Sequence, residues 1–118
     1  MHLASAEQAQ RRIIDDHKVC EAIEGLGDPA SAQTWAQRFA VLGDPTRLRL
    51  LLCIRAAGPI SVTDLAVAAS LHDATVSQTL RFLRASNTVA TERDGRVIRY
   101  QIADPAISEL LDHVTQPH

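Results

Sequence analysis

The hydrophobic period of this chain changes after residue 85. Apolar residues recur at helical spacing up to Leu83, whereas those over 88–102 alternate with polar residues as in a strand. A tight-turn signal, Asp94-Gly95, interrupts the alternating segment. The pattern predicts a helix over 74–85 and then a β-hairpin with strands over 88–93 and 96–102, joined by a type I′ turn.

Three Asp-Pro pairs mark helix starts. An aspartate accepts a hydrogen bond at the N-cap, and a proline at the first helical position lacks an amide proton that would go unused there. The pairs begin at residues 28, 44 and 104 and predict helices that end at Gly43, near Ala57 and at Pro117. The last of these helices carries an apolar stripe of Ile107, Leu110, Leu111 and Val114.

Two short helices are predicted in front of the hairpin. Ser61 and Asp64 have the spacing of a capping box and open a helix that runs to about Ala69. Asp73 can cap the next helix, and a connector of about three residues that includes His72 separates the two. Two short helices, a short connector and a hairpin are the elements of a winged helix-turn-helix.

The predicted fold is mainly α with a β-hairpin wing. It is a winged helix-turn-helix of the order α-α-α-α-β-β-α with an extra N-terminal helical lead. In the lead, the segment from Ser5 to about Ile14 permits a helix, and Gly25 and Gly27 end any helix. Residues 1–27 are expected to form a lead that can act as a metal-binding arm, and residues 28–118 a DNA-binding and dimerisation domain.

Charge is distributed unevenly, although the whole chain carries a net charge of only −2. The net charge is −3 over residues 1–44, +4 over residues 45–102 and −3 over residues 103–118. A middle section whose cations are all arginines fits a polyanion-binding module between non-binding flanks. In a winged helix-turn-helix, that polyanion is double-stranded DNA.

The second short helix is the element that enters the major groove in this fold. Its side chains outside the apolar stripe are hydrogen-bonding types, and Gln78 can make a bidentate contact to adenine. Arg84, one turn beyond Arg81, suits a phosphate, and the cationic wing tip can reach a minor groove or the backbone. The predicted DNA-binding residues are Thr75, Ser77, Gln78, Arg81, Arg84, Arg93 and Arg96.

Four segments together resemble one protein family. They are FAVLGDPTRLRLL at 39–51, SVTDLA at 61–66, TVSQTLRFLR at 75–84 and DGRVIRY at 94–100. Over about residues 33–114 the chain looks like an ArsR/SmtB-family transcriptional repressor. The resemblance implies a homodimer, here through residues 31–42 and 105–114, that binds a palindromic operator. It also implies release from DNA by a metal ion or another inducer.

The N-terminal lead offers candidate metal ligands. His17 and Cys20 are three residues apart, so both can lie on one helix face. The resemblance pairs such N-terminal ligands with a motif at the start of the first short helix, where this chain keeps only the carboxylate of Asp64. The predicted site is His17, Cys20 and Asp64, whose donor types suit Zn²⁺ or a thiophilic ion such as Cd²⁺ or Pb²⁺.

Other switches stay open. The resemblance also implies a metal site on the last helix, for which this chain retains Asp104 and His113. A third hypothesis is a repressor of the same fold that is switched by thiol oxidation or by an unidentified ligand. Cys53 is by default a buried structural thiol, and it becomes a redox partner of Cys20 only if the lead folds back on its helix.

Several classes of protein are disfavoured. The sequence has no Gly-rich phosphate loop, no nucleophile elbow and no paired carboxylates in an apolar setting, which argues against an enzyme. The longest apolar run without a charge, 56–63, is too short to span a membrane. Two cysteines make no disulfide framework and no secretory pattern opens the chain, so a cytoplasmic location is expected.

Overall fold

The computed structural model describes residues 12–115. They divide into two compact units, with the boundary between Gln37 and Arg38. In chain order, the described helices and strands are α1 (Asp16–Leu26), α2 (Pro29–Leu42), α3 (Pro45–Ala57), β1 (Ile60–Ser61), α4 (Val62–Ala69), α5 (Asp73–Ala85), β2 (Val89–Asp94), β3 (Val97–Ile102) and α6 (Pro105–Thr115).

The lead contains helix α1, which the sequence reasoning did not locate. The Asp15 carboxylate accepts a hydrogen bond from the Lys18 amide at 3.2 Å and caps the helix start. Gly27, whose φ is +65°, ends the helix as expected, but Gly25 lies inside its last turn. Of the predicted segment, residues 5–11 lie outside the described residues and residues 12–14 are not helical. The lead has too few apolar residues for their period to locate a helix.

All three Asp-Pro helix starts are confirmed. In each pair the aspartate carboxylate accepts a hydrogen bond from a backbone amide two or three residues further on, which fixes the first turn. The donor–acceptor distances are 3.1 Å from Ala30 to Asp28, 2.9 Å from Arg47 to Asp44 and 3.0 Å from Ala106 to Asp104.

The core lies in the second unit and is aliphatic. The three α5 residues that were predicted to point inward are all buried, and α3, α4 and α6 supply most of the rest. Burying a large aliphatic side chain contributes roughly 1.5–3 kcal/mol, so this core holds the two short helices against α3 and the hairpin. Its largest members are Leu50, Leu51, Ile54, Leu65, Val76, Leu80, Leu83, Ile107 and Leu111.

The two short helices are present, with one correction at the start of α5. Ser61 caps α4 by accepting from the Asp64 amide at 3.2 Å, as its spacing predicts. At α5, the N-cap residue is His72, whose side chain makes no capping hydrogen bond. The prediction that Asp73 caps this helix is wrong. Asp73 is the first helical residue, where its negative charge interacts favourably with the helix dipole.

The wing is a three-stranded antiparallel sheet of order β1-β3-β2. The hairpin of β2 and β3 is confirmed, and β1 is an addition that pairs Ile60 with Tyr100 and Ser61 with Arg99. A strand of two residues is too short to produce a hydrophobic period, so the sequence gives no sign of it.

The hairpin turn lies one residue later than predicted. Asp94 pairs with Val97, so Gly95 and Arg96 form the two-residue loop. The angle φ is positive at Gly95 (+64°) but not at Arg96, which is the pattern of a type II′ turn and corrects the predicted type I′. Type II′ spares Arg96 the left-handed conformation that type I′ would impose on it, and Arg96 lies at the tip of the wing.

The apolar stripes that were predicted for a dimer contact are divided between core and surface. Leu111 is fully buried within this chain, so it is unavailable to a second subunit. Phe39 on α2 and Val114 on α6 are 57% and 51% exposed. Leu110 is half-buried.

Asp104 connects α6 to α2 by an ion pair. The Arg38 Nε donates to Asp104 Oδ2 at 2.9 Å, and both side chains are largely shielded from solvent. Burial by itself raises the pKa of Asp104, but hydrogen bonds from Arg38 and from the Ala106 and Ile107 amides outweigh it. The pKa of this carboxyl therefore lies below its usual value, and its ionised form stabilises the fold.

We expect Asp104→Asn to lower the free energy of unfolding at pH 7 by about 1–2 kcal/mol, because a charge-assisted hydrogen bond is removed while asparagine still caps the helix. In the wild-type protein, ionised Asp104 stabilises the fold above about pH 4, and this stabilisation disappears as the pH falls through the lowered pKa of Asp104. Denaturant unfolding at pH 7 and pH 3 checks this. An equal difference between the variants at both pH values would show that the charge is not involved.

Candidate nucleic-acid interface

Helix α5 presents one face to the core and the other to solvent. Val76, Leu80 and Leu83 are fully buried and Thr79 is half-buried, whereas the other positions of the helix are exposed. The predicted base-reading and phosphate-binding residues of this helix are all exposed, namely Thr75, Ser77, Gln78, Arg81 and Arg84. We refer to α5 as the recognition helix.

The eight arginines of the basic middle section fall into two groups of four. One group makes contacts inside the protein. Arg47 donates to Ala40 and Val41 carbonyls, Arg49 to the Ala69 carbonyl, Arg55 to Asp112, and Arg99 lies 3.7 Å from Asp94. The other group, the outward arginines, is exposed and forms no hydrogen bond or ion pair within residues 12–115. It consists of Arg81, Arg84, Arg93 and Arg96.

The outward arginines are the arginines that the sequence predicts for DNA binding. Charge alone does not separate the two groups in the sequence, because tertiary contacts decide which arginines have a partner inside the protein. An arginine without an internal partner keeps its donors available for phosphate or base edges.

A cleft of about 530 Å³ lies between the recognition helix and the wing. Its lining contains two outward arginines, Arg81 and Arg84, together with the Ser77 hydroxyl, Ala85 and Tyr100 of β3. Guanidinium and hydroxyl donors on one concave surface suit the hydrogen-bond acceptors of DNA, which are its phosphate oxygens and its base edges. Tyr100 was part of a motif in the sequence but was not predicted to line this surface.

The wing tip carries the other two outward arginines. Arg96 lies in the two-residue loop, and Arg93 lies on β2 opposite Ile98. On the neighbouring strand, Arg99 faces Asp94 at 3.7 Å, while its buried Nε has no hydrogen-bond partner among the described residues. Among residues 12–115, no carboxylate forms an ion pair with Arg93 or Arg96, so the wing tip exposes two cations.

The predicted metal ligands do not form a closed site within the described part of one chain. His17 Nε2 lies 2.8 Å from Glu21 Oε1 on α1, a neighbour that the sequence reasoning did not include. Cys20 on the same helix is half-buried, and Asp64 is exposed at the first turn of α4. Residues 12–115 contain no group of three or more His, Cys, Asp or Glu side chains that could hold a metal ion.

The alternative ligands also lie apart within one chain. Asp104 precedes α6 and is bound by Arg38, whereas His113 lies in the last turn of that helix. Nine residues of helix separate them by about 13 Å along the axis. Cys53 is a free thiol that packs against the core, but it is half-buried where the default interpretation predicts a buried thiol.

Within the described part of the chain, no helix is long and apolar enough to cross a membrane.

Known proteins resemble this chain in both sequence and structure. Residues 42–88 match the helix-turn-helix domain family. The HTH-type transcriptional regulator NmtR of Mycobacterium tuberculosis is 40% identical over 87 residues, which are 74% of this chain and 71% of that protein. A transcriptional repressor SmtB homolog of Synechocystis sp. is 37% identical over 89 residues, covering 72% of this chain and 67% of that protein.

A solved structure extends the likeness over almost the whole chain. The crystal structure of the AntR antimony-specific transcriptional repressor matches with a TM-score of 0.67 and 28% identity, and covers 97% of this chain and 91% of that chain. The winged helix-turn-helix fold and the family that the four sequence segments indicate are thereby confirmed. The chain belongs to the ArsR/SmtB family of winged helix-turn-helix transcriptional regulators, which are DNA-binding proteins and not enzymes.

Proposed function

We propose that this protein is a homodimeric transcriptional repressor that binds a palindromic operator and is released from it by a metal ion. The observation that carries the DNA-binding part is the exposure of the four outward arginines on the recognition helix and the wing, without internal partners among the described residues. Cys53 is a free thiol, which suits action in a reducing cytoplasm.

Each DNA-facing side chain has a role that follows from its chemistry. Thr75, Ser77, Gln78 and Arg81 read base edges in the major groove, and the amide of Gln78 pairs with adenine. Arg84 binds a phosphate beside the recognition helix. Arg93 and Arg96 at the wing bind the backbone or the adjacent minor groove. A second subunit places a second recognition helix one turn of DNA away, which is why the operator is palindromic.

The metal is proposed to be Zn²⁺ or an ion of the Cd²⁺ and Pb²⁺ class. A thiol, an imidazole and a carboxylate in Cys20, His17 and Asp64 suit these ions. In the proposed dimer, the lead of one subunit lies over Asp64 of the partner subunit, so that the two subunits share the metal. The antimony-specific AntR repressor supports a metal or metalloid inducer within the family without identifying it here.

Metal binding releases DNA if it favours a dimer shape in which the two recognition helices no longer match one face of the duplex. The metal needs only a higher affinity for that shape, and such coupling is typically about 1–3 kcal/mol, or roughly 5–150-fold in DNA affinity.

We expect Cys20→Ser to leave DNA binding intact and to abolish or blunt release by metal. Cys20 lies on α1, outside the winged helix, and its thiolate is the strongest donor for a thiophilic ion at this site. Fluorescence anisotropy of an operator duplex, titrated with Zn²⁺, Cd²⁺ and Pb²⁺ under reducing conditions, checks the prediction. Charge-transfer absorption in the near ultraviolet reports thiolate ligation independently.

His113→Ala is the matched control for the alternative site on α6. If Cys20→Ser responds to metal like the wild type and His113→Ala does not, the inducer binds at the last helix and the N-terminal assignment is wrong. If neither change matters but Cys53→Ser does, the protein is better interpreted as a thiol sensor.

A further inference from the structure

Arg47 belongs to the basic middle section, yet its guanidinium faces the protein. Nε donates to the Val41 carbonyl and Nη2 to the Ala40 carbonyl, both at 2.9 Å. These carbonyls lie in the last turn of α2, where a helix end carries a partial negative charge. The Ala40 carbonyl also accepts from the Gly43 amide at 3.3 Å. One side chain at the start of α3 therefore completes the end of α2.

The same guanidinium reaches the recognition helix. Its central carbon lies 4.7 Å from the centre of the Phe82 ring, within the range of a cation–π contact. Phe82 is 46% exposed and lies on α5 one turn after Gln78 and next to Arg81, the proposed base-reading residues. The contact therefore holds the outer face of α5 at the level where bases are read.

The backbone of Arg47 is fixed as well. Its amide donates to Asp44 Oδ2 at 2.9 Å, so the residue is anchored in the first turn of α3. Side chain and backbone together place a rigid planar group between the end of α2 and the side of α5. Lysine would supply a charge here, but not two parallel donors and a flat surface for stacking.

We propose that Arg47 is a positioning residue for DNA reading, which joins the last turn of α2 to the recognition helix through Phe82. This inference rests on the proposed function, because it assigns Arg47 to operator recognition without contact to DNA. A helix that reads base edges must be held in position to within about 0.5 Å. Removing the contacts of Arg47 therefore lowers the affinity for the operator more than the affinity for other DNA sequences. Since α2 also belongs to the proposed dimer contact, Arg47 sets the recognition helix relative to the partner subunit's helix.

The test compares Arg47→Gln, Phe82→Leu and the double variant on two duplexes of equal length. One duplex is selected by the wild-type protein from a random pool, and the other has a scrambled sequence. Each single variant is expected to bind the selected duplex about tenfold more weakly, as hydrogen-bond and cation–π contacts of this size allow. Binding to the scrambled duplex should change less than about twofold, and its salt dependence should stay that of the wild type.

Two further measurements separate positioning from other roles. The double variant should bind the selected duplex no more weakly than Arg47→Gln alone, because that substitution already removes the contact with Phe82. A further loss of affinity in the double variant would show that Phe82 acts independently of Arg47 and would contradict the proposal. Arg55→Gln is the matched control, since it removes the same charge from the same helix at a residue that pairs with Asp112 of α6, and it should retain wild-type selectivity.

Several results would overturn the inference. If Arg47→Gln weakens both duplexes equally and lowers the salt slope by about one, Arg47 binds a phosphate directly. If Arg55→Gln loses as much selectivity, the effect is one of net charge. If Arg47→Gln does not fold, Phe82→Leu decides alone, and wild-type selectivity in that variant contradicts the proposal. If the wild-type protein selects no duplex, the proposed function itself is contradicted. If the wild type and Arg47→Gln select the same duplex equally well, only this inference is contradicted.

Discussion

Gly58→Ala is expected to lower the free energy of unfolding by about 3 kcal/mol, since forcing atoms into a packed site costs about this much. A Cβ at this position would lie 2.6 Å from the Ile54 carbonyl oxygen and 3.2 Å from that of Tyr100. Both are backbone atoms, so relief requires the end of α3 to move away from β3. The φ of Gly58 is −67°, which alanine adopts freely, so the close approach alone destabilises the variant.

Gly25→Ala is the matched control for this prediction. Gly25 lies inside α1 with no atom within 4 Å of an added Cβ, so the change should cost nothing and stabilises the helix by up to about 0.5 kcal/mol. Chemical unfolding followed by circular dichroism measures both variants. A decrease below about 1 kcal/mol in Gly58→Ala would mean that α3 and the wing shift apart easily, contrary to the packed junction described above.

Much of this fold could be predicted from local signals. The Asp-Pro caps, the capping serine of α4 and the aliphatic period of α5 each act within a few residues, so the sequence contains their full physical cause. Strand β1 could not be predicted, because its two residues are ordered by pairing with Tyr100 and Arg99, about 40 residues away. The turn at Gly95 was predicted one residue too early, because Asp94-Gly95 suits type I′ while Gly95 at the first central position suits type II′.

The candidate site also has some features with local causes in the sequence and others that depend on tertiary packing. The exposed polar face of α5 follows from helical period, so Gln78 and Arg81 could be found in the sequence. The internal roles of Arg47 and Arg55 could not, because their partners depend on how α2, α5 and α6 pack around α3. The proposed metal site shares its donors between two subunits, and the spacing of residues in one chain does not reveal such a site, so His17 and Cys20 stay a prediction.

Gln78→Ala and Arg81→Ala are each expected to lower discrimination between operator and random DNA by about 1–3 kcal/mol for each base that is read, or roughly 5–150-fold. Truncation leaves a base edge without its partner, whereas binding to random DNA does not use that interaction. Both side chains are exposed and lie outside the core, so the fold should be unaffected. Dissociation constants for an operator duplex and a scrambled duplex, measured at the same salt concentration, check the prediction.

Arg96→Ala should behave differently, because the wing tip binds the DNA backbone in this account. The affinity of this variant for both duplexes should fall together, and the slope of log Kobs against log salt concentration should become shallower by about one for each phosphate that Arg96 neutralises. Equal decreases on both duplexes for Gln78→Ala, Arg81→Ala and Arg96→Ala would show that α5 is not the element that reads sequence.

In the proposed complex, Gln78 and Arg81 on α5 read bases, whereas Arg84, Arg93 and Arg96 bind the DNA backbone or the adjacent minor groove. The most direct measurement is the affinity of wild type, Gln78→Ala and Arg96→Ala for a series of operators in which each base pair is replaced in turn. Gln78→Ala should lose discrimination at one A·T pair in each half-site and keep it elsewhere, and Arg96→Ala should keep the whole wild-type pattern at lower affinity. A Gln78→Ala protein that discriminates at every position like the wild type would contradict base reading by Gln78 on α5.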